Sequence, residues 1–90
     1  MIEVRKTDSD EFAVTVTVEE RSGKTEHTVT LDDDYYRDLT RGSITKEELI
    51  KRSFEFLLER ESKESILSRF NLQVIKRYFP EFEREITARS

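Results

Sequence analysis

The stretch Phe12-Ala-Val-Thr-Val-Thr-Val-Glu-Glu-Arg-Ser-Gly-Lys-Thr-Glu-His-Thr-Val-Thr-Leu31 decides how this chain is read. Phe12, Val14, Val16 and Val18 fall on one face of an extended chain, with Ala13, Thr15, Thr17 and Glu19 on the other. His27, Val29 and Leu31 repeat the alternation after the turn signal Ser22-Gly23. Closing a two-residue hairpin there sets Val16 opposite Val29, Val14 opposite Leu31 and Val18 opposite His27. A slip of one residue would set valines against threonines. Ile2 and Val4 share the alternation, and the polar Asp8-Ser9-Asp10 turns that segment back onto the next. Ile2 to Lys6, Phe12 to Glu20 and Thr25 to Leu31 therefore read as a three-stranded antiparallel β meander.

After Leu31 the apolar period becomes helical. Asp32 is placed to cap a short helix holding Tyr35, Tyr36 and Leu39, with Asp33 and Asp34 in the first turn, where the helix dipole favours acids. Gly42 lies just past its end. Thr45 and Glu48 have the spacing of a capping box, and Ile44 is placed to staple against Leu49. Leu49, Ile50, Phe54, Leu57 and Leu58 then form a broad apolar stripe, with Phe56 at its margin. Ser62 caps a further expected helix carrying Ile66, Leu67 and Phe70, and Asn71 suits the break that follows, as a left-handed residue or as the next cap. Leu72, Ile75 and Phe79 continue the stripe until Phe79-Pro80 interrupts it, and Pro80 opens a last helix with Phe82 and Ile86 inward.

The expected fold is therefore α+β: residues 1–90 form one domain, with the meander in 1–31 followed by and packed against four or five short helices in 32–90. Its core is expected to hold Val14, Val16, Val29, Leu31, Phe54, Leu57 and Phe70. Ninety residues leave no room for a second core, and 25 of them are Leu, Ile, Val or Phe, enough to fold a chain that is 40% charged. The absence of cysteine excludes disulfides and thiolate metal sites. No apolar run reaches the length of a signal peptide or a membrane span, so a cytoplasmic protein without membrane contact is expected.

Little in the sequence suggests catalysis. His27 is the lone histidine and is in phase with Val29 and Leu31, which marks it as structural. The two glycines are isolated, so no phosphate loop is present. Counting twelve from Asp32 places Arg37 and Ser43 where a calcium loop needs Gly and Glu. No catalytic, cofactor-binding or metal-ligating set emerges, and the reading is a non-enzymatic protein without cofactor.

Charge divides the chain. Residues 1–45 carry net -5 and residues 46–90 net +1. Lys63, Arg69, Lys76 and Arg77, interleaved with aromatics, form a candidate nucleic-acid patch, though the acidic total argues against it. Tyr35, Tyr36, Tyr78 and Phe82, or the edge strand Ile2 to Lys6, form a candidate surface for self-association or for a protein partner.

Thr28 to Leu39 followed by Thr45 to Leu58 resembles the strand, helix and second helix of ribbon-helix-helix repressors, including small antitoxins. That resemblance implies DNA binding by a dimeric ribbon, with Glu26, Thr28 and Thr30 as outward readers. Ser62 to Phe79 is similar to a helix-turn-helix. Ser53-Phe-Glu-Phe-Leu-Leu-Glu-Arg-Glu61, Ser65-Ile-Leu and Tyr78-Phe-Pro-Glu-Phe82 resemble a group of short prokaryotic proteins of uncharacterised function, which implies no activity. The expectation is a protein-interaction or regulatory module of unspecified partner, the alternative a DNA-binding regulator.

Overall fold

The computed structural model describes residues 1–6 and 13–89, so Phe12 and the expected Asp8-Ser9-Asp10 turn lie outside the described residues. The chain is α+β, with strands β1 (Ile2–Lys6), β2 (Ala13–Glu20), β3 (Gly23–Thr30) and β4 (Arg69–Asn71). Its helices are α1 (Asp33–Thr40), α2 (Lys46–Leu58), α3 (Ile75–Tyr78) and α4 (Phe82–Arg89), with 3-10 turns at Lys63–Ser65 and Leu72–Val74. The sheet order is β1-β2-β3-β4. β1, β2 and β3 form the antiparallel meander, and β4 adds a fourth strand parallel to β3.

The hairpin register differs from the expected one by two residues. Val14 faces Val29, Val16 faces His27, Val18 faces Thr25, and the turn is Arg21-Ser22 between Glu20 and Gly23. Arg21 and Ser22 keep negative φ, which the primed turns do not allow, while Gly23 adopts φ +132° in the first position of β3. A long-range contact accompanies this choice: Lys63 Nζ donates to Ser22 Oγ at 2.7 Å and lies 3.2 Å from Glu20. A shift of two preserves the parity of every side chain, so Val14, Val16, Val18, His27, Val29 and Phe70 still share the buried face. Leu31 passes beyond β3 into the core, where it is fully buried.

A second departure is the expected helix after Ser62. Only the 3-10 turn forms there, and Phe70 lies on β4, opposite Val29. The i, i+4 spacing of Ile66 and Phe70 imitates a helix face. Pairing instead satisfies the open edge of β3, and Thr28 N donates to Ser68 O at 2.8 Å. The crossover that parallel pairing requires is supplied by α1 and α2.

The remaining elements follow local rules. Thr45 Oγ1 accepts from Glu48 N at 3.1 Å and starts α2. Asp32 occupies the N-cap of α1 without a side-chain cap bond, and Asp33 pairs with Lys46 instead. Asn71 acts as a cap, its Oδ1 accepting from Gln73 N at 3.0 Å, while its Nδ2 donates to Thr30 Oγ1 at 3.0 Å. The helix before Pro80 ends at Tyr78, with Phe79 at ψ 87°.

The core lies between the sheet and the helices. Phe54 of α2 contacts the rings of His27 at 5.3 Å and Phe70 at 6.0 Å. Phe56, placed at the margin by spacing, is fully buried and meets Phe79 and Phe82 edge-on at 5.9 and 5.2 Å. Arg60 spreads over the Phe56 ring at 3.7 Å and binds Glu81 and Glu85, tying the end of α2 to α4.

Candidate functional site

The residues expected to form a basic patch sit in different settings. Lys63 is only 2% exposed. Its ammonium sits 2.6 Å from Glu64, whose hydrogen bond raises its pKa despite desolvation, with a further contribution from Glu20. Lys76 lies 3.6 Å from Glu83 and 5.6 Å from the centre of the Tyr35 ring. Arg69 and Arg77 are both exposed. Arg69 shares the face of β4 opposite to the buried Phe70, whereas Arg77 is on α3.

The four aromatics expected at a partner surface divide as well. Tyr35 and Phe82 are buried, which removes them from any surface. Tyr35 Oη donates to Glu83 at 2.9 Å, and burial, followed by this carboxylate, pushes the phenol pKa up. Tyr36 is half-buried and donates to the carbonyl of Ile44. Only Tyr78 is widely exposed, at 67%.

Tyr78 stands on the rim of an apolar groove of about 340 Å³ between the end of α2, the segment leading into β4, and α3. Leu57, Ile66, Phe70 and Ile75 are its buried lining, and Leu67, 49% exposed, is another rim residue. Glu61 and Ser65 are its polar neighbours. Leu67 was expected on the inward stripe of a helix. It is turned outward where the chain leaves the 3-10 turn at Ile66 and bends into β4.

The buried histidine braces this rim. His27 Nδ1 is 2.8 Å from the carbonyl of Leu67, and Nε2 is 2.8 Å from Thr25 Oγ1. A carbonyl only accepts, so the hydrogen-bond network assigns a proton to Nδ1; in the neutral ring Nε2 accepts from the Thr25 hydroxyl. Both ring nitrogens thus serve the fold. Among the described residues no three His, Cys, Asp or Glu side chains gather as a metal-ligand set, and no helix is long and apolar enough to cross a membrane.

The ribbon geometry also lacks its means of assembly, because β3 has β2 on one edge and β4 on the other. Ser62 to Phe79 holds a single short helix, α3, and so has no helix-turn-helix pair. No protein-family model, curated protein or solved structure matches the chain.

Proposed function

We propose that the chain is a non-enzymatic protein-interaction module, acting in the cytoplasm, that receives apolar side chains of a partner protein in the groove between α2, β4 and α3. One observation carries this reading: Leu67 and Tyr78, two exposed large hydrophobics, stand on the rim of the same apolar groove. An exposed leucine alone is ordinary, but two such residues flanking one concavity make a continuous surface whose burial is favourable. The volume suits one or two side chains from a helix or extended segment, with Tyr78 as an amphipathic anchor. DNA binding has less support, because Lys63 and Lys76 are already paired with carboxylates.

The test is selection of a displayed random-peptide library on the immobilised protein. Enriched peptides should share an aromatic or long aliphatic anchor and lose binding to the Leu67→Ser/Tyr78→Ser variant. Peptides that bind this variant as well as the parent protein refute the groove assignment. A parallel titration uses mixed duplex DNA at low and moderate salt. Salt-sensitive binding abolished by Lys76→Ala with Arg77→Ala would establish the DNA-binding reading instead.

A further inference from the structure

The edge of β1 carries a feature independent of the groove. Met1 and Glu19 exchange two main-chain bonds, Met1 N donating to Glu19 O at 2.7 Å and Glu19 N donating to Met1 O at 2.8 Å. Bonded and non-bonded pairs alternate along an antiparallel ladder, and the register continues with Glu3 opposite Thr17 and Arg5 opposite Thr15. Met1, Glu3 and Arg5 therefore spend their main-chain groups on β2. The N–H and C=O groups of Ile2, Val4 and Lys6 point the other way, and among the described residues no strand meets them, because β1 ends the sheet.

We propose that this edge pairs antiparallel with β1 of a second copy of the chain, about a two-fold axis through Val4. The outward main-chain groups restrict the register, since only Ile2, Val4 and Lys6 are available to form bonded pairs. Three registers with good overlap meet that condition. Centring on Val4 sets Val4 opposite Val4, Ile2 opposite Lys6, and Glu3 opposite Arg5 of the second copy. Moving two residues in one direction sets Glu3 against Glu3, and in the other Arg5 against Arg5. Only the centred register is complementary in charge, and it also uses the whole strand.

Side-chain positions support the same occupant. Glu3 and Arg5 lie on one face of β1 with 3.1 Å between Glu3 Oε1 and Arg5 Nε, so pairing builds an alternating cluster of two acids and two bases. On the other face Ile2 and Val4 are half-buried against the core, and a neighbouring strand covers what the edge leaves open. β1 contains no proline, Glu3 and Arg5 are self-complementary in this register, and Lys6 lies 3.9 Å from Glu47 of α2. The product is one continuous eight-stranded sheet with isologous contacts.

Sedimentation equilibrium of the full chain across micromolar to millimolar concentration tests the proposal. The expected result is a monomer–dimer equilibrium that E3R weakens roughly tenfold, by placing like charges opposite each other twice. The double variant E3R/R5E should restore it. V4P should also prevent pairing, since proline removes an outward N–H that β2 does not use. A purely monomeric parent protein overturns the inference. So does a dimer that persists in E3R and V4P but is lost in Leu67→Ser/Tyr78→Ser, an outcome that would move self-association to the groove. Circular dichroism of each variant confirms that the fold is retained, and E3R with its rescue tests the pairing should V4P fail to fold.

Discussion

Replacing His27 by Leu separates hydrogen bonding from packing at the joint between sheet and groove. The imidazole is 3% exposed, rests on Phe54 and makes both its polar contacts at 2.8 Å. Leucine fills a similar space against Phe54 but gives nothing to the Leu67 carbonyl or the Thr25 hydroxyl. A typical bond contributes about 1 kcal/mol net, and an orphaned half-buried acceptor costs about 1–3 kcal/mol, so the expected loss is about 1–3 kcal/mol. For a domain of this size each kcal/mol moves the midpoint by roughly 4–8 °C, so thermal unfolding should begin many degrees earlier. Asn places its amide nitrogen near the position of Nδ1, keeps a donor for the carbonyl and should lose less. Urea titration followed by circular dichroism measures both variants, and hydrogen exchange at the Thr28 amide, bonded to Ser68 O, reports the local joint. A Leu variant with unchanged midpoint and slope, or Leu and Asn variants equally impaired, would refute the hydrogen-bond argument. His27→Asn should also retain partner binding; complete loss of function with an intact fold would show that the ring performs chemistry.

Tyr78→Ser and Leu67→Ser should each alter stability by no more than about 0.5 kcal/mol, as exposed substitutions do, while weakening peptide capture; differential scanning calorimetry beside a binding isotherm checks both halves. The raised pKa of Tyr35 means that the fold holds its proton more tightly than the unfolded chain, so this contribution is intact below the ordinary value of 10.0 and is lost as pH rises above it. Lys63, raised from 10.5, has the same sign, and Tyr35→Phe should make the decline in melting temperature above pH 10 shallower. At the acid end, Glu64, lowered mainly by Lys63, and Glu81, lowered mainly by its own main-chain N–H, stabilise the fold above their ordinary value of 4.5; this stabilisation is lost as pH falls through their depressed pKa values, as an acid melt should show. Arg41 ends α1 at φ 53°, a left-handed conformation costly for a side chain, so Arg41→Gly should stabilise by about 0.5–1 kcal/mol in urea unfolding.

Much of the fold was legible because local rules fix it. The face assignment of Val14, Val16, Val18, His27 and Val29 follows from parity alone and survives the register change. Parity is also why the register itself was not legible: registers two residues apart place the same side chains inward. The turn position is associated with Lys63, which meets Ser22 across 41 residues of sequence, a contact that no local pattern contains. The cap at Thr45, the break at Phe79-Pro80 and the inward Phe82 and Ile86 were readable because each depends on a few neighbouring residues.

The groove was hidden by the misreading of β4. Had Ser62 to Phe70 formed a helix, Ile66, Leu67 and Phe70 would have turned together toward the core, leaving Tyr78 as an isolated exposed aromatic. The bent segment between the 3-10 turn and β4 separates them: Ile66 and Phe70 remain buried, and Leu67 is turned outward between them. What stabilises the strand is tertiary, namely the open edge of β3 and the donor at His27, which binds the main chain of the same residue whose side chain forms the rim. Phe70 is shared in the same way, with one side against Phe54 and another lining the groove. Core and candidate docking surface are therefore coupled through a three-residue strand. Perturbations at Phe54, or loss of the His27 donor as in His27→Leu, should be transmitted to binding through β4, whereas Leu67→Ser and Tyr78→Ser should alter binding while leaving the core unchanged.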